Sequence, residues 1–425
     1  MPHLSEPVEG QNTAIHRLLH RRLSTTVKEL SLVFLLLVLL VSSYVFYSFT
    51  WVEVPSSFST EVFSPETSLP ELESLAIEPL PTESPPTEVL PAETPVTESA
   101  PTTPLEQLQS TTDTGFLPLD EAQDLCAPFN WSPYPNRTSR RKIYDLVLID
   151  AELDWLEIRM NEYKHEVDHF VIIEATKTFT QNPKPLNFRD NFARFQNFFP
   201  KIIYHVINYD HISGNDPWER ERYSRNALFE LVFPSLLGPN APQQGDVILV
   251  SDADELPRRS TLSILRNCDF PERTTLRTKS FKYSFQWLWT GNGNDGWWHP
   301  QATYYQGLNE TILPEDLRMN TNGGSWDLLG GWAGWHCSYC FETIAQVIHK
   351  LESVSHTEAN VQQNKYPAVI VDRIRKGLGI FEWNDTLTRV DMSEDLPEYL
   401  VQNHDRFEYM LDRDPENANF RDYSG

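Results

Sequence analysis

Only four cysteines, Cys126, Cys268, Cys337 and Cys340, occur in the 425 residues. With no second C-x-x-C to join Cys337-Ser338-Tyr339-Cys340, a tetrahedral zinc set is not completed, and disulfides or buried thiols are expected instead. Three pairings of four cysteines are possible, and all three stay open at this level. Lys and Arg are absent from Val52 to Leu125, where fifteen carboxylates accumulate. The formal net charge of -25 is thus largely a property of one segment. The remainder is only moderately negative and has no Lys/Arg-dense stripe, which argues against nucleic-acid binding as the main activity. A phosphate-bearing small molecule stays open.

The acidic segment also lacks the large apolar side chains that a core needs. Its repeated Pro, Glu, Ser and Thr, as in TESPPTEVLPAETPVTESAPTTP, read as a disordered, extended stem with hydroxyls open to O-glycans. Leu30 to Trp51 is uncharged, about twenty residues that at 1.5 Å each span a bilayer core. Tyrosines and Trp51 sit at its distal end, and Arg17, Arg21, Arg22 and Lys28 precede it. The positive-inside rule then places the amino terminus in the cytosol. The run is too long and too far from Met1 for a cleaved signal peptide. Four sequons, at Asn130, Asn136, Asn309 and Asn384, follow the run and fit a lumenal domain. The expected order is a cytosolic tail (1–29), a transmembrane signal-anchor (30–51), the stem (52–125) and a lumenal catalytic domain (126–425).

Within that last part, short apolar runs alternate with amphipathic stretches. IYDLVLI from Ile143, HFVIIEA from His169 and KIIYHVINY from Lys201 read as strands. Trp218 to Phe233 has helical character and carries Arg220, Arg222 and Arg225, and Ser355 to Lys376 looks helical again. Val247 to Asp252 is a buried, parallel-type strand ending in acids. Strands alternating with helices imply a wound α/β sheet, in which ligands bind at the carboxyl ends of strands. Trp287, Trp289, Trp297, Trp298, Trp332 and Trp335 crowd near glycines, as core material or as faces for sugars to stack on.

The sharpest local signal is Asp252-Ala253-Asp254-Glu255 at the end of the Val247 strand. Two carboxylates spaced this way can hold a hard divalent cation whose open positions accept diphosphate oxygens. Such a cation neutralises charge on a departing nucleotide diphosphate. An acidic loop capping the next helix would look the same, so the motif needs support from elsewhere in the chain.

Support comes from a set of blocks: Asp252-Ala253-Asp254-Glu255-Leu256-Pro257, Lys279-Ser280-Phe281-Lys282-Tyr283, Ala333-Gly334-Trp335-His336-Cys337-Ser338-Tyr339-Cys340-Phe341 and Asp405-Arg406-Phe407-Glu408-Tyr409. With Glu152-Leu153-Asp154, Val167-Asp168-His169-Phe170 and Glu174 upstream, they cover most of Ile143 to Asp412. In these blocks the chain resembles glycosyltransferase family 17, the β-1,4-mannosyl-glycoprotein 4-β-N-acetylglucosaminyltransferases. The resemblance implies a GT-A fold, UDP-GlcNAc as donor, inversion at the anomeric carbon, Mn²⁺ as cation and a glycan or glycoprotein acceptor. It also implies the topology of a single-pass type II Golgi membrane protein. The acceptor is left open, because relatives with divergent loops can act on other glycans.

Roles follow as expectations. Asp254 is the first choice for metal ligand, and Asp252 for metal or ribose contact; His336 and His356 are the candidates for a further ligand. Inversion needs a general base opposite the departing nucleotide, and Asp327 and Glu342 flank the Gly-rich region where an acceptor is expected. Glu174 at a strand end could meet the nucleotide, and Arg225 the diphosphate, which guanidinium groups bind bidentately. A glycoside hydrolase would also place two carboxylates across a sugar, but without need of a metal-binding D-A-D. A lectin-like protein would bind glycan without consuming a donor.

Overall fold

The computed structural model describes residues 114–290, 296–320, 327–380, 387–390 and 395–424, with the side chains of Asp327 and Leu328 excepted. The expected anchor, the stem up to residue 113 and the Asn384 sequon lie outside these residues. Among the described residues no helix is long and apolar enough to cross a membrane.

The folded part begins before the expected boundary at Cys126. Phe116 and Ala122 are buried, and Leu119–Cys126 forms helix α1. The reason is covalent as well as apolar: Cys126 is bonded to Cys268 and Cys337 to Cys340, which settles the pairing.

The elements that position the site follow in order. Strand β1 (Ile143–Ile149) leads to α2 (Leu153–Glu162), β2 (His169–Ala175) and β3 (Ile202–Ile207). Next come α3 (Pro217–Glu230), β4 (Val247–Asp252), β5 (Glu255–Pro257) and α4 (Arg259–Asn267). Strands β6 (Thr274–Thr275), β7 (Thr278–Lys282), β8 (Ser284–Trp289) and β9 (Gln301–Tyr304) precede α5 (Pro314–Met319) and β10 (Asp327–Leu328). Strand β11 (Gly334–Ser338), α6 (Ile344–Ser353), α7 (Pro367–Arg375) and β12 (Leu387–Arg389) follow. The main sheet has the order β10-β6-β9-β4-β1-β2-β3, and a second has the order β12-β8-β7-β11-β5. Strands β4, β1, β2 and β3 are parallel neighbours, so the expected wound α/β sheet is present, with β9 antiparallel beside β4.

Side chains alternate across this sheet with a period of two. Ile143, Val147, Phe170, Ile172, Val247 and Leu249 face one core, which α2 closes with Trp155, Leu156 and Ile158. Tyr144, Leu146, Val171, Ile173, Ile248 and Val250 face the other, which α3 closes with Ala227, Leu228 and Phe229. Both faces are covered, which is why these strands read as nearly continuous apolar runs. One charge pair is enclosed in the first core: Arg159 of α2 grips Asp145 of β1 through Nε and Nη2, at 2.6 and 2.5 Å. Both side chains are fully buried, and Arg159 also donates to the Glu255 carbonyl at 2.6 Å. This fastens α2 to the turn that carries Asp254.

One expectation shifts. Ser355 to Lys376 is not one helix: two 3₁₀ turns, Thr357–Ala359 and Gln362–Lys365, precede α7. Pro367 sets the break, since it lacks an N–H and forces Tyr366 into an extended conformation (φ -75°, ψ 120°) before the helix starts. The Ala333–Phe341 block, for which sequence reading assigns no element, contains strand β11, and Gly334 shows why it needs a glycine. A Cβ there would lie 2.2 Å from the Leu256 carbonyl oxygen, so only a bare backbone lets β11 approach β5.

Candidate active site

A cavity of about 510 Å³ opens at the carboxyl ends of β1 to β4 and is closed on its far side by β7, β11 and α6. Leu148, Ile173, Ala175, Ile207, Phe179 and Tyr209 give the end under β1 to β3 a largely apolar wall, with Asp150, Lys177 and Lys184 also lining the cavity. Trp218, Trp289, Trp297 and Tyr339 add aromatic wall, and Asp252, Asp254, His336 and Lys350 bring charge to one side.

The register of the second sheet assembles that charged side. Strand β11 lies between β5 and β7, and His336 is directly opposite Glu255 on one neighbour and Ser280 on the other. Cross-strand neighbours point to the same face. Ser280 Oγ accordingly lies 3.3 Å from His336 Nδ1, and the Trp297 ring stacks on the imidazole with centroids 4.8 Å apart. Trp297 Nε1 donates to Glu255 at 2.6 Å, which fixes the indole over the histidine. In the tautomer that carries its proton on Nδ1 and donates it to Ser280, the Nε2 lone pair would face Asp254. His336 Nε2 and Asp254 Oδ1 are 3.9 Å apart. Burial lowers the His336 pKa, against the pull of Asp254, and so favours the neutral imidazole that binds metals.

Asp252 behaves differently from Asp254. Its carboxylate accepts from Arg225 at 2.8 Å and from Arg318 at 2.7 Å. Arg318 also holds the fully buried Glu255 through two hydrogen bonds, at 2.8 and 2.6 Å. Burial alone would raise both acids, but Arg225 and Arg318 hold Asp252 well below the usual carboxylate range, and Arg318 holds Glu255 at about 2. A folded-state pKa below the ordinary 4.5 means that Glu255 contributes stability above that value and loses it as pH falls toward 2. The melting temperature is therefore expected to fall steadily on acidification from pH 5 toward about 2, as Glu255 protonates while Asp252 stays ionised. A flat profile over that window would contradict the assignment.

The expected site residues divide into two groups. Asp252, Asp254, His336 and Arg225 meet at the cavity, although Arg225 is taken up by Asp252, Glu221 and Glu315 and positions Asp252. His356 lines the outer wall, where its ring meets Trp218 edge-on and pairs with Glu358 at 2.7 Å. The four expected ligands do not converge: among the described residues no group of three or more His, Cys, Asp or Glu forms a metal centre.

Glu174 does not serve the cavity. Ile173 and Ala175 face it, so the two-residue alternation turns Glu174 to the opposite side of β2. There it accepts from the Phe188 N–H at 3.0 Å and the Tyr204 hydroxyl at 2.8 Å. Glu342 lies outside as well, paired with Arg421 at 2.9 Å in a separate cleft of about 190 Å³ beside Asp405 and Arg406. Asp327 is in the edge strand β10, with its backbone opposite Thr274. Neither expected base is brought to the cavity by an element described above. Sequence reading missed Ser280, Trp297, Arg318 and Lys350 as site residues, although Ser280 stood inside a quoted block.

The pair that remains, Asp254 and His336, fits a divalent cation: one carboxylate oxygen and one imidazole nitrogen, close enough for a single ion with bonds of about 2.1 Å to reach both. Remaining positions would face the cavity, where diphosphate oxygens can fill them.

The model of glycosyltransferase family 17 matches residues 101–417. The β-1,4-mannosyl-glycoprotein 4-β-N-acetylglucosaminyltransferases of Homo sapiens and Rattus norvegicus are 27% and 26% identical over 306 residues, covering 64% of this chain. That stretch is 55% of each relative, so the chain spans about half the length of the curated relatives it matches. A mannosyltransferase from Pyrobaculum calidifontis, solved with GDP-Man and Mn²⁺, aligns over 62% of this chain and 79% of its own at 11% identity and a TM-score of 0.28. At that score nothing about the site is transferred. The family match takes in β1 to β12 and every residue that builds the charged side of the cavity. The chain belongs to glycosyltransferase family 17.

Proposed function

We propose that the chain is an inverting, GT-A type N-acetylglucosaminyltransferase that moves GlcNAc from UDP-GlcNAc to a mannose of an N-glycan in β-1,4 linkage, with Mn²⁺ or another divalent cation. The observation that carries this reading is the meeting of Asp254 with His336, 3.9 Å apart at the end of β4. Two motifs about eighty residues apart converge there, on a cavity at the carboxyl ends of parallel strands. When bound, the cation supplies Lewis acidity to the leaving diphosphate.

The chain's own groups do the rest. Asp254 and His336 hold the cation side, Ser280 and Trp297 fix the imidazole, and Arg225 and Arg318 keep Asp252 ionised and turned toward the cavity. The apolar end under β1 to β3 accepts a flat base, with the Tyr209 hydroxyl tied to Ser224 at 2.9 Å beneath it. The indoles of Trp218 and Trp289 offer faces for a sugar. A hydrolase is disfavoured because Asp252, half of the carboxylate pair, is bound by two guanidinium groups and is not free for proton transfer.

The same reading places the protein in the Golgi membrane as a type II protein, anchored by Leu30 to Trp51. The sequon asparagines Asn130, Asn136 and Asn309 are exposed, as lumenal glycosylation requires. Incubating the full chain with a panel of UDP-sugars, Mn²⁺ and mannose-bearing N-glycans is expected to give GlcNAc transfer that EDTA stops and Mn²⁺ restores. Transfer to a different glycan alone would move the acceptor assignment, and release of free sugar without a nucleotide donor would overturn the transferase reading.

A further inference from the structure

Lys350 stands where an incoming cation has to go. Helix α6 delivers it: Thr343 and Gln346 form a capping box at its start, and the Asp422 carboxylate accepts from the Ile344 and Ala345 N–H groups at 2.8 and 3.0 Å. Two turns later the Lys350 ammonium lies 2.9 Å from Asp254 Oδ2 and 3.6 Å from Glu152 Oε1, and 5.5 Å from the ring centroids of Tyr339 and Phe341. One oxygen of Asp254 is therefore taken by an ammonium while the other faces His336.

A divalent cation seated between Asp254 and His336 would share a nearly buried carboxylate with that ammonium. Two like charges so close in a partly dehydrated cavity repel strongly. Glu152 alone offsets only part of the excess. A nucleotide diphosphate changes the balance, since each phosphate brings a negative charge, and a lysine stem is flexible enough to turn from Asp254 toward it.

We propose that Lys350 is an internal counter-cation of Asp254 that is displaced toward Glu152 and the diphosphate when the divalent cation seats, so that cation binding depends on the nucleotide. The proposal rests on the donor reading above. It gives the enzyme an ordered or concerted loading of cation and donor, with little cation held in between.

The test is Mn²⁺ binding to the full-length chain in detergent, followed by loss of the free-ion electron paramagnetic resonance signal, with and without UDP. Wild-type protein is expected to bind Mn²⁺ at least about tenfold more tightly with UDP than without it. Lys350→Met keeps the apolar stem and removes the charge; it is expected to bind Mn²⁺ alone about tenfold more tightly than wild type, with a smaller gain from UDP. Lys350→Gln repeats the test if methionine disturbs folding, and Lys350→Arg, which keeps the charge, should stay as weak as wild type without UDP. Unchanged or weaker UDP-free affinity in the charge-removing variants overturns the role of Lys350, as does tightening in Lys350→Arg. Calorimetry of UDP on the same samples separates the two readings: no UDP binding to any of them overturns the donor reading and the coupling with it.

Discussion

With Asp254 replaced by alanine, the chain keeps its fold and cation-dependent transfer falls by about three orders of magnitude or more in kcat/KM. Asp254 sits in the turn between β4 and β5, where its side chain meets Lys350 and His336. Glu152 remains within reach of Lys350, so the ammonium is not left unpaired and the loss of stability is small. The chemistry has no such reserve, since His336 alone is a weak seat for a hard cation and Asp252 is already held by two guanidinium groups. Asp254→Asn should behave nearly as badly, because a neutral amide oxygen replaces a charged ligand. Initial rates at saturating Mn²⁺ with a matched melting temperature check this. Unchanged Mn²⁺-dependent transfer would remove Asp254 from the site.

Arg318→Ala is expected to act in the opposite order, on stability first. The guanidinium is nearly inaccessible and serves Asp252 and Glu255 together, and Glu255 is fully buried. Its removal leaves a buried carboxylate with, among the described residues, the Trp297 and Asp252 N–H groups as hydrogen-bond partners. Breaking one side of such a network costs about 3–5 kcal/mol. The cost should shrink at low pH, where the orphaned carboxylate protonates, and Arg318→Lys should recover only part of it, because a point charge cannot span two carboxylates as a planar fork does. Urea unfolding at pH 7 and pH 4 measures both effects; a loss below about 1 kcal/mol at pH 7 would show that the network is not structural.

How much of this could be read from the residues depends on how local the cause is. The parallel strands were legible because burial on both faces leaves continuous apolar runs, as in Val247 to Val250. The acids at the end of β4 were legible for the same reason. Glu174 was misplaced although the alternation of side chains along its own strand carries the answer: Ile173 and Ala175 face the cavity, so their neighbour cannot. The block around His336 stood out by composition, yet nothing local to it shows that β11 pairs with β5 and β7 in the register that brings His336 beside Ser280 and toward Asp254. That is a property of sheet closure across about eighty residues.

Lys350 was harder still. Its helix carries a readable start signal, Thr343-x-x-Gln346, but a lysine in an amphipathic helix is ordinarily a solvated surface group, and only packing against Tyr339 and Phe341 turns this one inward. Arg318 belongs to a six-residue helix that begins at Pro314, with no motif to mark it. Positions that act through long-range contacts need the fold before they can be seen.

The placement of the cation between Asp254 and His336 is tested most directly by electron spin echo envelope modulation on Mn²⁺ in the ternary complex with UDP. A nitrogen coupling from an imidazole should be present in wild type, survive in His356→Gln and vanish in His336→Gln. A coupling that persists in His336→Gln, or is absent from wild type, would contradict the site.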